Sequence, residues 1–425
     1  MGYTISQKIL AKKCGKDHVL PGDIIYVKPD LLWLYDWPGF DGLIRNINIA
    51  SDRVGINIDH FFLPNNETVA KLHQNFRTIA KKYQISKFYD IGRGGIGFHL
   101  FAEQGNIRPG MLVMHIDPHV STMSALGAYC IGVGGDVMAG FLTGEIWLRV
   151  PETLKVTLAG EFQEGVTSRD VFEKLLQDLG PDGAQGKVIE FTGPAVAAMN
   201  IESRMVLCNS VQYLSAETAI IAPDEKTFAY LKGKTDIPYE PVVSDPDAVY
   251  AREIVYDVSQ LEPMVVTPPD VFYIKTVKEV AGKKIDQALI GTCAGGRLDD
   301  LRIAARILRG KKVHPDVRFL VFPITPKTHS DASREGLIDI LVEAGALIGP
   351  STCGPCYGGF GQLLPGETCL STGTMNVAGR MGSTEAEIYM ANPATVAASA
   401  LKGEIADPRE FLKSMTLAEN GRSES

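Results

Sequence analysis

Three cysteines stand in glycine-rich segments where their thiolates could bind a metal. Cys293 lies in Gly-Thr-Cys-Ala-Gly-Gly-Arg at 291–297, and Cys353 and Cys356 form a Cys-Gly-Pro-Cys motif. A lone Cys-x-x-Cys is typical of a redox pair at the start of a helix. A third cysteine in a separate glycine-rich loop instead favours an iron–sulfur cluster, because thiolates bind such clusters and glycines permit a close approach of the backbone. Three ligands would leave one iron open for Lewis-acid chemistry.

The other four cysteines lie in apolar or ordinary surroundings: Cys14, Cys130, Cys208 and Cys369. Each is predicted to be a small buried hydrophobic residue rather than a ligand. Seven cysteines in 425 residues are too few for a disulfide framework, and their number is odd. The N-terminus also lacks the apolar core of a secretory signal, so the expected location is cytoplasmic.

Two segments place a carboxylate beside an imidazole. Asp59 and His60 end one apolar stretch, and Asp117 and His119 follow another that includes His115 and ends at Ile116. Functional groups of α/β proteins gather at the carboxyl ends of strands. A carboxylate fixes the tautomer of a neighbouring histidine and raises its basicity. The two pairs therefore predict general acid–base catalysis.

Two other functions fit parts of the same segments. The segment 92–97 matches Gly-x-Gly-x-x-Gly after a predicted strand, and Asp117, about twenty residues further on, could bind a ribose. The stretch before Pro109 is short for the intervening helix, so this dinucleotide signal is weak. Alternatively, His115, Asp117 and His119 could bind a single metal ion in a hydrolase. That interpretation leaves the three cysteines of the glycine-rich segments unexplained.

Alternating strands and helices must position these residues. Apolar and β-branched runs predict strands at 23–27, 87–91, 111–116, 155–158 and 287–290. Apolar residues at helical spacing predict helices at 67–83, from 167 or 168 onward, and at 299–309. This alternation predicts an α/β fold with mostly parallel sheets. Changes in the local pattern of strand-like, helical and turn-forming residues predict domains at 1–152, 153–255 and 256–425. The apolar segment 124–144 is expected to form one or two buried helices rather than a membrane span.

The overall composition narrows the class of partner. Apolar residues make up 45% and charged residues 22% of the chain, close to the average of globular proteins. The formal net charge is −8. Nucleic-acid binding without sequence preference depends on clustered Lys and Arg, so a nucleic-acid partner is not expected.

Longer motifs resemble a known family over nearly the whole chain. They are DHFFLPN at 59–65, DPH at 117–119, FTGPAV at 191–196, IAPDEKTFAYLKG at 221–233, GTCAGGRLDDLR at 291–302, STCGPCYGG at 351–359 and GRMG at 379–382. On these residues the chain resembles the large subunit of 3-isopropylmalate dehydratase and its homoaconitase-like relatives in the aconitase superfamily.

The resemblance implies three α/β/α-layered domains around a central cluster site, without the fourth, swivelling domain. It implies a [4Fe–4S] cluster bound by Cys293, Cys353 and Cys356. It implies a hydro-lyase or isomerase that acts on a small hydroxy or unsaturated acid. In the family, the base and a further arginine lie on the swivelling domain, so a small-subunit partner is expected.

The resemblance also implies roles for both carboxylate–imidazole pairs. His60, oriented by Asp59, would protonate the departing hydroxyl. Asp117 and His119 would flank the substrate and the water held at the cluster.

Several substrate positions depart from the family pattern. Asn209 and Arg380 match the family's residues near the cluster and substrate, but Met375 stands where an arginine is usual and Tyr213 where a glutamate is usual. Further replacements are Pro118, Val120 and Gly295, and the match of His99 to a family histidine is ambiguous. A missing bidentate arginine weakens carboxylate binding. The expected function is therefore that of a hydro-lyase acting on a hydroxy acid other than 3-isopropylmalate. The alternative is that the chain is a cluster-bearing paralogue without dehydratase activity.

Overall fold

The computed structural model describes residues 2–44 and 46–412, and these form two compact units. The first unit comprises Met1–Gly160 and Leu179–Asp257, and the second comprises Glu161–Asp178 and Val258–Ser425. The predicted division into three domains is finer than this and stays a prediction.

Strands and helices alternate along the described residues. The strands are β1 Ile24–Val27, β2 Leu31–Tyr35, β3 Val54–Asn57, β4 Lys87–Tyr89, β5 Leu112–His115, β6 Tyr129–Gly132, β7 Ile146–Arg149, β8 Glu152–Ala159, β9 Lys187–Thr192, β10 Thr218–Ile221, β11 Arg252–Asp257, β12 Met264–Val266, β13 Ile274–Thr276, β14 Gln287–Ile290, β15 Arg318–Val321, β16 Leu347–Ile348, β17 Thr368–Ser371 and β18 Glu387–Ala391. The α-helices are α1 Ile5–Cys14, α2 Phe40–Leu43, α3 Glu67–Lys82, α4 Gly97–Glu103, α5 Val137–Thr143, α6 Ser168–Leu179, α7 Pro194–Ala198, α8 Ile201–Asn209, α9 Glu225–Leu231, α10 Val277–Val280, α11 Leu298–Leu308, α12 Pro326–Arg334, α13 Leu337–Ala344 and α14 Pro393–Lys402. Six short 3₁₀ helices connect them at 51–53, 118–126, 134–136, 211–214, 258–260 and 354–357.

A five-stranded parallel sheet organises the first part of the chain. Its order is β4-β3-β2-β5-β6. Its apolar side chains pack against α3, whose predicted face at Val69, Leu72, Phe76 and Ile79 is buried. Parallel strands end at the same edge of a sheet, so the residues that follow β2, β3 and β5 meet there.

The first unit also contains two smaller sheets. One is a parallel sheet of order β10-β9-β8-β11, and the other is the antiparallel pair β1-β7.

The second unit contains a mixed sheet of order β13-β12-β18-β17-β14-β15-β16. The strands from β14 to β18 run parallel, while β12 and β13 pair in antiparallel fashion. Helices α11 and α14 contribute apolar side chains to its core. The carboxyl ends of β14, β16 and β17 therefore share one edge. The loops that follow them carry Cys293, then Cys353 and Cys356, and then Met375.

Most of the elements expected from the sequence are confirmed, and one expectation is confirmed only in part. Strands lie at 24–27, 87–89, 112–115, 152–159 and 287–290, and helices at 67–82, 168–179 and 298–308. The segment 124–144 holds the short helix α5 but also the strand β6, which pairs with β5 from Tyr129 onward. Gly127 at φ +74° ends the preceding 3₁₀ helix, and the residues Tyr129 to Ile131 favour a strand. Within the described ranges, no helix is long and apolar enough to cross a membrane.

Candidate active site

Asp59 and His60 form a buried carboxylate–imidazole pair in the first unit. They follow β3, and Asp59 Oδ1 lies 2.6 Å from His60 Nδ1. The second oxygen of Asp59 accepts the backbone N–H of Gly97 at 2.9 Å. Burial by itself lowers the pKa of His60, but the charge and hydrogen bond of Asp59, followed by the charges of Asp36 and Asp117, raise it above 6.5. Asp59 therefore favours the protonated form of the imidazole.

Asp36 fixes the backbone of this pair. It follows β2 and is fully buried, and its carboxylate accepts the backbone N–H groups of Asp59, His60 and Phe61, each at 2.8 Å. His73 Nε2 lies 3.2 Å from the same carboxylate. The motifs of the sequence do not point to Asp36. The available signal is its place directly after the apolar run LLWLY, the pattern that also marks Asp59 and Asp117.

Asp117 and His119 form the second pair, after β5. Asp117 Oδ1 lies 2.9 Å from His119 Nδ1 and accepts the backbone N–H of His119 at 2.8 Å. Burial opposes ionisation of Asp117, but the charge and hydrogen bonds of His119 outweigh it and lower the pKa of the carboxyl. His119 Nε2 is buried and has no protein hydrogen-bond partner among the described residues. Such an atom is suited to contact a substrate or water.

His115 uses one ring nitrogen for a hydrogen bond to the backbone of the second pair. Its Nδ1 accepts the backbone N–H of Asp117 at 2.8 Å, and burial lowers its pKa to about 3. Among the described residues, the one set of three His, Cys, Asp or Glu whose donor atoms lie within 4.8 Å of one another is Asp36, Asp59 and His60. The hydrolase interpretation, with His115, Asp117 and His119 on one ion, therefore lacks support. Cluster ligands bind different irons, so they need not lie as close as donors that share one ion.

The glycine motif serves the first pair instead of a nucleotide. The motif does lie between β4 and α4, but Gly97 is the first residue of a seven-residue helix and its N–H is bound to Asp59. A carboxylate of the chain thus occupies the helix N-terminus where a pyrophosphate would be expected to bind.

Asn209 and Tyr213 lie on α8 and the 3₁₀ helix that follows it. The Asn209 amide donates to Thr122 Oγ1 at 2.8 Å and accepts from Ser210 Oγ at 2.9 Å. The ring of Tyr213 meets His119 edge-on, with centroids 6.3 Å apart. The Tyr213 phenol therefore lies beside the second pair, and the substrate roles of both residues stay predictions.

Three buried thiols follow two strands of the second unit. Cys293 comes after β14, and Cys353 and Cys356 come after β16, and both strands pair in parallel with β15. The exposed fractions of these three residues are 3%, 7% and 5%. All three lie beyond the same edge of the sheet.

The other cysteines differ from these three. Burial raises the pKa of the Cys130 and Cys369 thiols to about 12 and also raises the pKa of Cys208. Cys14 packs against the core of the first unit at the end of α1. The raised pKa values of Cys130, Cys208 and Cys369 fit the prediction that these three residues are apolar fillers, since ligands must be thiolates.

The backbone around Cys293 is strained. Thr292 has φ +70°, a region that β-branched residues rarely adopt. Its hydroxyl donates to Thr372 O at 3.2 Å. Gly296 has φ +73°, and a Cβ there would lie 2.2 Å from Phe322 O, so only glycine fits. Strain of this kind persists where surrounding contacts enforce it, and it is common at functional sites.

Arg169 holds this loop and the next one. Its guanidinium donates to Thr372 O and Gly373 O, each at 2.7 Å, and to Glu173 at 2.7 Å. The Thr372 hydroxyl in turn donates to Gly291 O at 2.8 Å. Arg169 thus fixes the segment that leads to Met375 and supports the Cys293 loop. The two carbonyls that it holds lie 203 and 204 residues away in sequence, so no local pattern could have identified this role.

Arg380 lies against one of the thiols. Its Nε donates to Cys356 O at 3.0 Å, and its Nη2 lies 3.4 Å from Cys356 Sγ. A guanidinium at this distance stabilises a thiolate. Three buried thiols beyond one edge of the sheet, one of them on a strained loop and another beside a cation, fit a [4Fe–4S] cluster.

Comparison with known proteins identifies the family. Residues 46–403 match the Aconitase family (aconitate hydratase). The chain therefore belongs to the aconitase family, a family of hydro-lyases that use an iron–sulfur cluster. The family, the α/β fold and the enzyme class expected from the motifs are confirmed.

Its relatives include large subunits of one dehydratase. The 3-isopropylmalate dehydratase large subunit 1 of Methanopyrus kandleri is 40% identical over 420 residues, which cover 97% of this chain and 100% of the relative. The 3-isopropylmalate dehydratase large subunit of Heliobacterium modesticaldum is 42% identical over 419 residues, with 96% and 100% covered. The crystal structure of Thermococcus kodakaraensis aconitase X aligns over 87% of this chain and 89% of its own, with a TM-score of 0.45 and 12% identity, a likeness too low to support a conclusion.

Proposed function

We propose that the chain is the large subunit of a [4Fe–4S] hydro-lyase whose substrate is a hydroxy acid less anionic than 3-isopropylmalate. The observation that carries the difference in substrate is the chemistry at two positions. Met375 is a neutral thioether where the resemblance to the family implies a guanidinium, and Tyr213 is a phenol where it implies a carboxylate, while both carboxylate–imidazole pairs are present.

Cys293, Cys353 and Cys356 would hold the cluster. When bound, the cluster supplies an open iron that acts as a Lewis acid on the carbon–oxygen bond to be broken. Arg169 and Thr372 keep the Cys293 loop in its strained form, and Arg380 favours the thiolate of Cys356.

His60 would deliver the proton that the departing hydroxyl needs. Its Nδ1–H is donated to Asp59, so the proton to be delivered is the one on Nε2. Asp59 is itself held by Gly97 N–H, and Asp36 holds the backbone, so the imidazole keeps one orientation. His119, oriented by Asp117, would bind water or substrate through Nε2.

The part of the site beside Met375 is expected to bind substrates that carry less negative charge than the substrates of the relatives. A bidentate guanidinium–carboxylate pair contributes charge-assisted hydrogen bonds worth about 1.5–3 kcal/mol each. Met375 is half-buried and can offer only dispersion contacts and a weak acceptor. A second carboxylate at this position would lose its hydration without gaining a partner.

The proposal also includes a small-subunit partner. It is supported by the relatives, which are large subunits and align over 96–97% of this chain. The family's base is expected on that partner, so assays should include any small polypeptide that co-purifies at native expression level. The predicted cytoplasmic location is part of the same proposal.

A graded panel of acids tests the substrate assignment. The anaerobically reconstituted chain, with its co-purified partner, is assayed in both directions against hydroxy acids that differ in carboxylate number. We expect 3-isopropylmalate to be a poor substrate, and Met375→Arg to lower its KM by about 10-fold or more. Val377→Arg, an exposed position in the same loop, is the matched control and should leave that KM unchanged. Wild-type turnover that is fastest with 3-isopropylmalate would refute the proposed substrate class.

A further inference from the structure

Tyr35 stands between the two carboxylate–imidazole pairs of the first unit. It ends β2 and is 8% exposed. Its ring stacks on the His60 imidazole with centroids 4.0 Å apart and planes 24° apart. Its hydroxyl donates to Asp117 Oδ2 at 3.1 Å. One side chain thus contacts a member of each pair.

The contacts of Tyr35 complement those made within each pair. On Asp117, His119 uses Oδ1 and Tyr35 uses Oδ2, so the two together fix the rotation of the carboxylate. On His60, Asp59 holds one ring nitrogen and Tyr35 covers a face of the ring.

The backbone makes this arrangement stiff. Asp36, the next residue after Tyr35, accepts the backbone N–H groups of Asp59, His60 and Phe61. Tyr35 and His60 are therefore tied through the main chain as well as through their rings. The sequence shows Tyr35 only as one of five apolar or aromatic strand residues, so nothing local marks it.

We propose that Tyr35 is a positioning residue that joins the two pairs, its ring setting the plane of the His60 imidazole and its hydroxyl setting the rotation of the Asp117 carboxylate. Its effect on rate rests on the proposed function, whereas its coupling of the two pairs does not. Misplacement of a catalytic group by about 1 Å can cost about 100-fold in rate.

Two substitutions separate the contributions of the ring and the hydroxyl. Tyr35→Phe keeps the stack and loses the hydrogen bond to Asp117, and we expect kcat of the reconstituted full-length enzyme to fall about 10-fold. Tyr35→Leu loses both contacts, and we expect a fall of about 100-fold. In both variants kcat should change more than KM. Tyr89→Phe, at the end of β4 in the same sheet, removes a hydroxyl that bonds Asn106 and should behave as wild type.

A titration of the full-length chain tests the coupling without any turnover. The charged groups that act on His60 are Asp59, Asp36 and Asp117, so Asp117→Asn should lower the His60 pKa. This is measured by NMR of ring-labelled histidines, with the His60 signal identified by its loss in His60→Asn. We expect the drop caused by Asp117→Asn to shrink in the Tyr35→Leu background. An equal drop in both backgrounds, with wild-type kcat in Tyr35→Phe, would overturn the inference. If no acid is turned over, the proposed function fails while the titration still decides the role of Tyr35.

Discussion

The acid–base pairs and the thiol loops are held in place by different means. In the first unit, the carboxylates of Asp36 and Asp59 are buried and that of Asp117 is half-buried, and their oxygens accept hydrogen bonds from backbone N–H groups, rings and a phenol. In the second unit, the shape of the Cys293 loop requires a strained backbone at Thr292 and glycines that let neighbouring backbone atoms approach closely.

The difference follows from what each group must do. A proton donor must present one nitrogen at one angle, so its neighbours fix side-chain orientation and charge. Cluster ligands must bring three sulfurs around a bulky group, so their neighbours fix loop shape. Substitutions in one unit should therefore leave the chemistry of the other intact.

Loss of a predicted cluster ligand should have the largest effect. Cys353→Ser should abolish activity and the cluster absorbance of the reconstituted protein, since serine is a poor ligand for iron in a cluster. All three tryptophans lie in the first unit, so tryptophan fluorescence should report an unchanged unfolding transition there. Cys14→Ser is the control and should retain cluster and activity. A full cluster in Cys353→Ser would remove this residue from the ligand set.

Loss of the predicted acid should have a large effect on rate alone. His60→Asn should lower kcat by roughly 10²–10⁴-fold, the usual contribution of general acid catalysis. The cluster absorbance and its reduced EPR spectrum should persist. His18→Asn, an exposed histidine in the same unit, should match wild type. Near-normal kcat in His60→Asn would assign the acid to another group.

Asp36 should govern the stability of the first unit. Asp36→Ala leaves three buried backbone donors and His73 without their acceptor, so the free energy of unfolding should fall by roughly 3–5 kcal/mol. Urea unfolding followed by tryptophan fluorescence measures the change, and the exposed Asp52→Ala serves as control. A loss no larger than that of the control would show that water can replace the carboxylate.

The smallest expected effect is a shift in the pH dependence of the catalytic rate. The pKa of His60 is raised above 6.5, so its stabilising charge is fully present below that pH and is lost as pH rises through the raised pKa. The rate should fall over the same alkaline range, because the deprotonated imidazole cannot act as an acid. Asp59→Asn removes the largest raising contribution, so this alkaline limb should move to lower pH. An unmoved limb would mean that Asp59 does not set the protonation of His60.

The sequence predicts the elements and the ligand types better than the supporting contacts. Cys293 and His60 are recognisable because their motifs are local, and the strand 287–290 is found at its predicted bounds. Arg169, Asp36 and Tyr35 act across distances that no spacing rule reveals, since their partners come from other strands of the fold. The prediction for segment 124–144 missed the strand β6, because short apolar runs do not distinguish a strand from a buried helix.

EPR spectroscopy tests most directly the proposal that this enzyme holds an open [4Fe–4S] cluster which binds a hydroxy acid less anionic than 3-isopropylmalate. The reduced, anaerobically reconstituted chain is measured alone and with each acid of the graded panel, beside Cys353→Ser. We expect a cluster signal that a hydroxy acid other than 3-isopropylmalate changes most, and no such signal in Cys353→Ser. A signal that no acid changes, or one that only 3-isopropylmalate changes, would contradict the account.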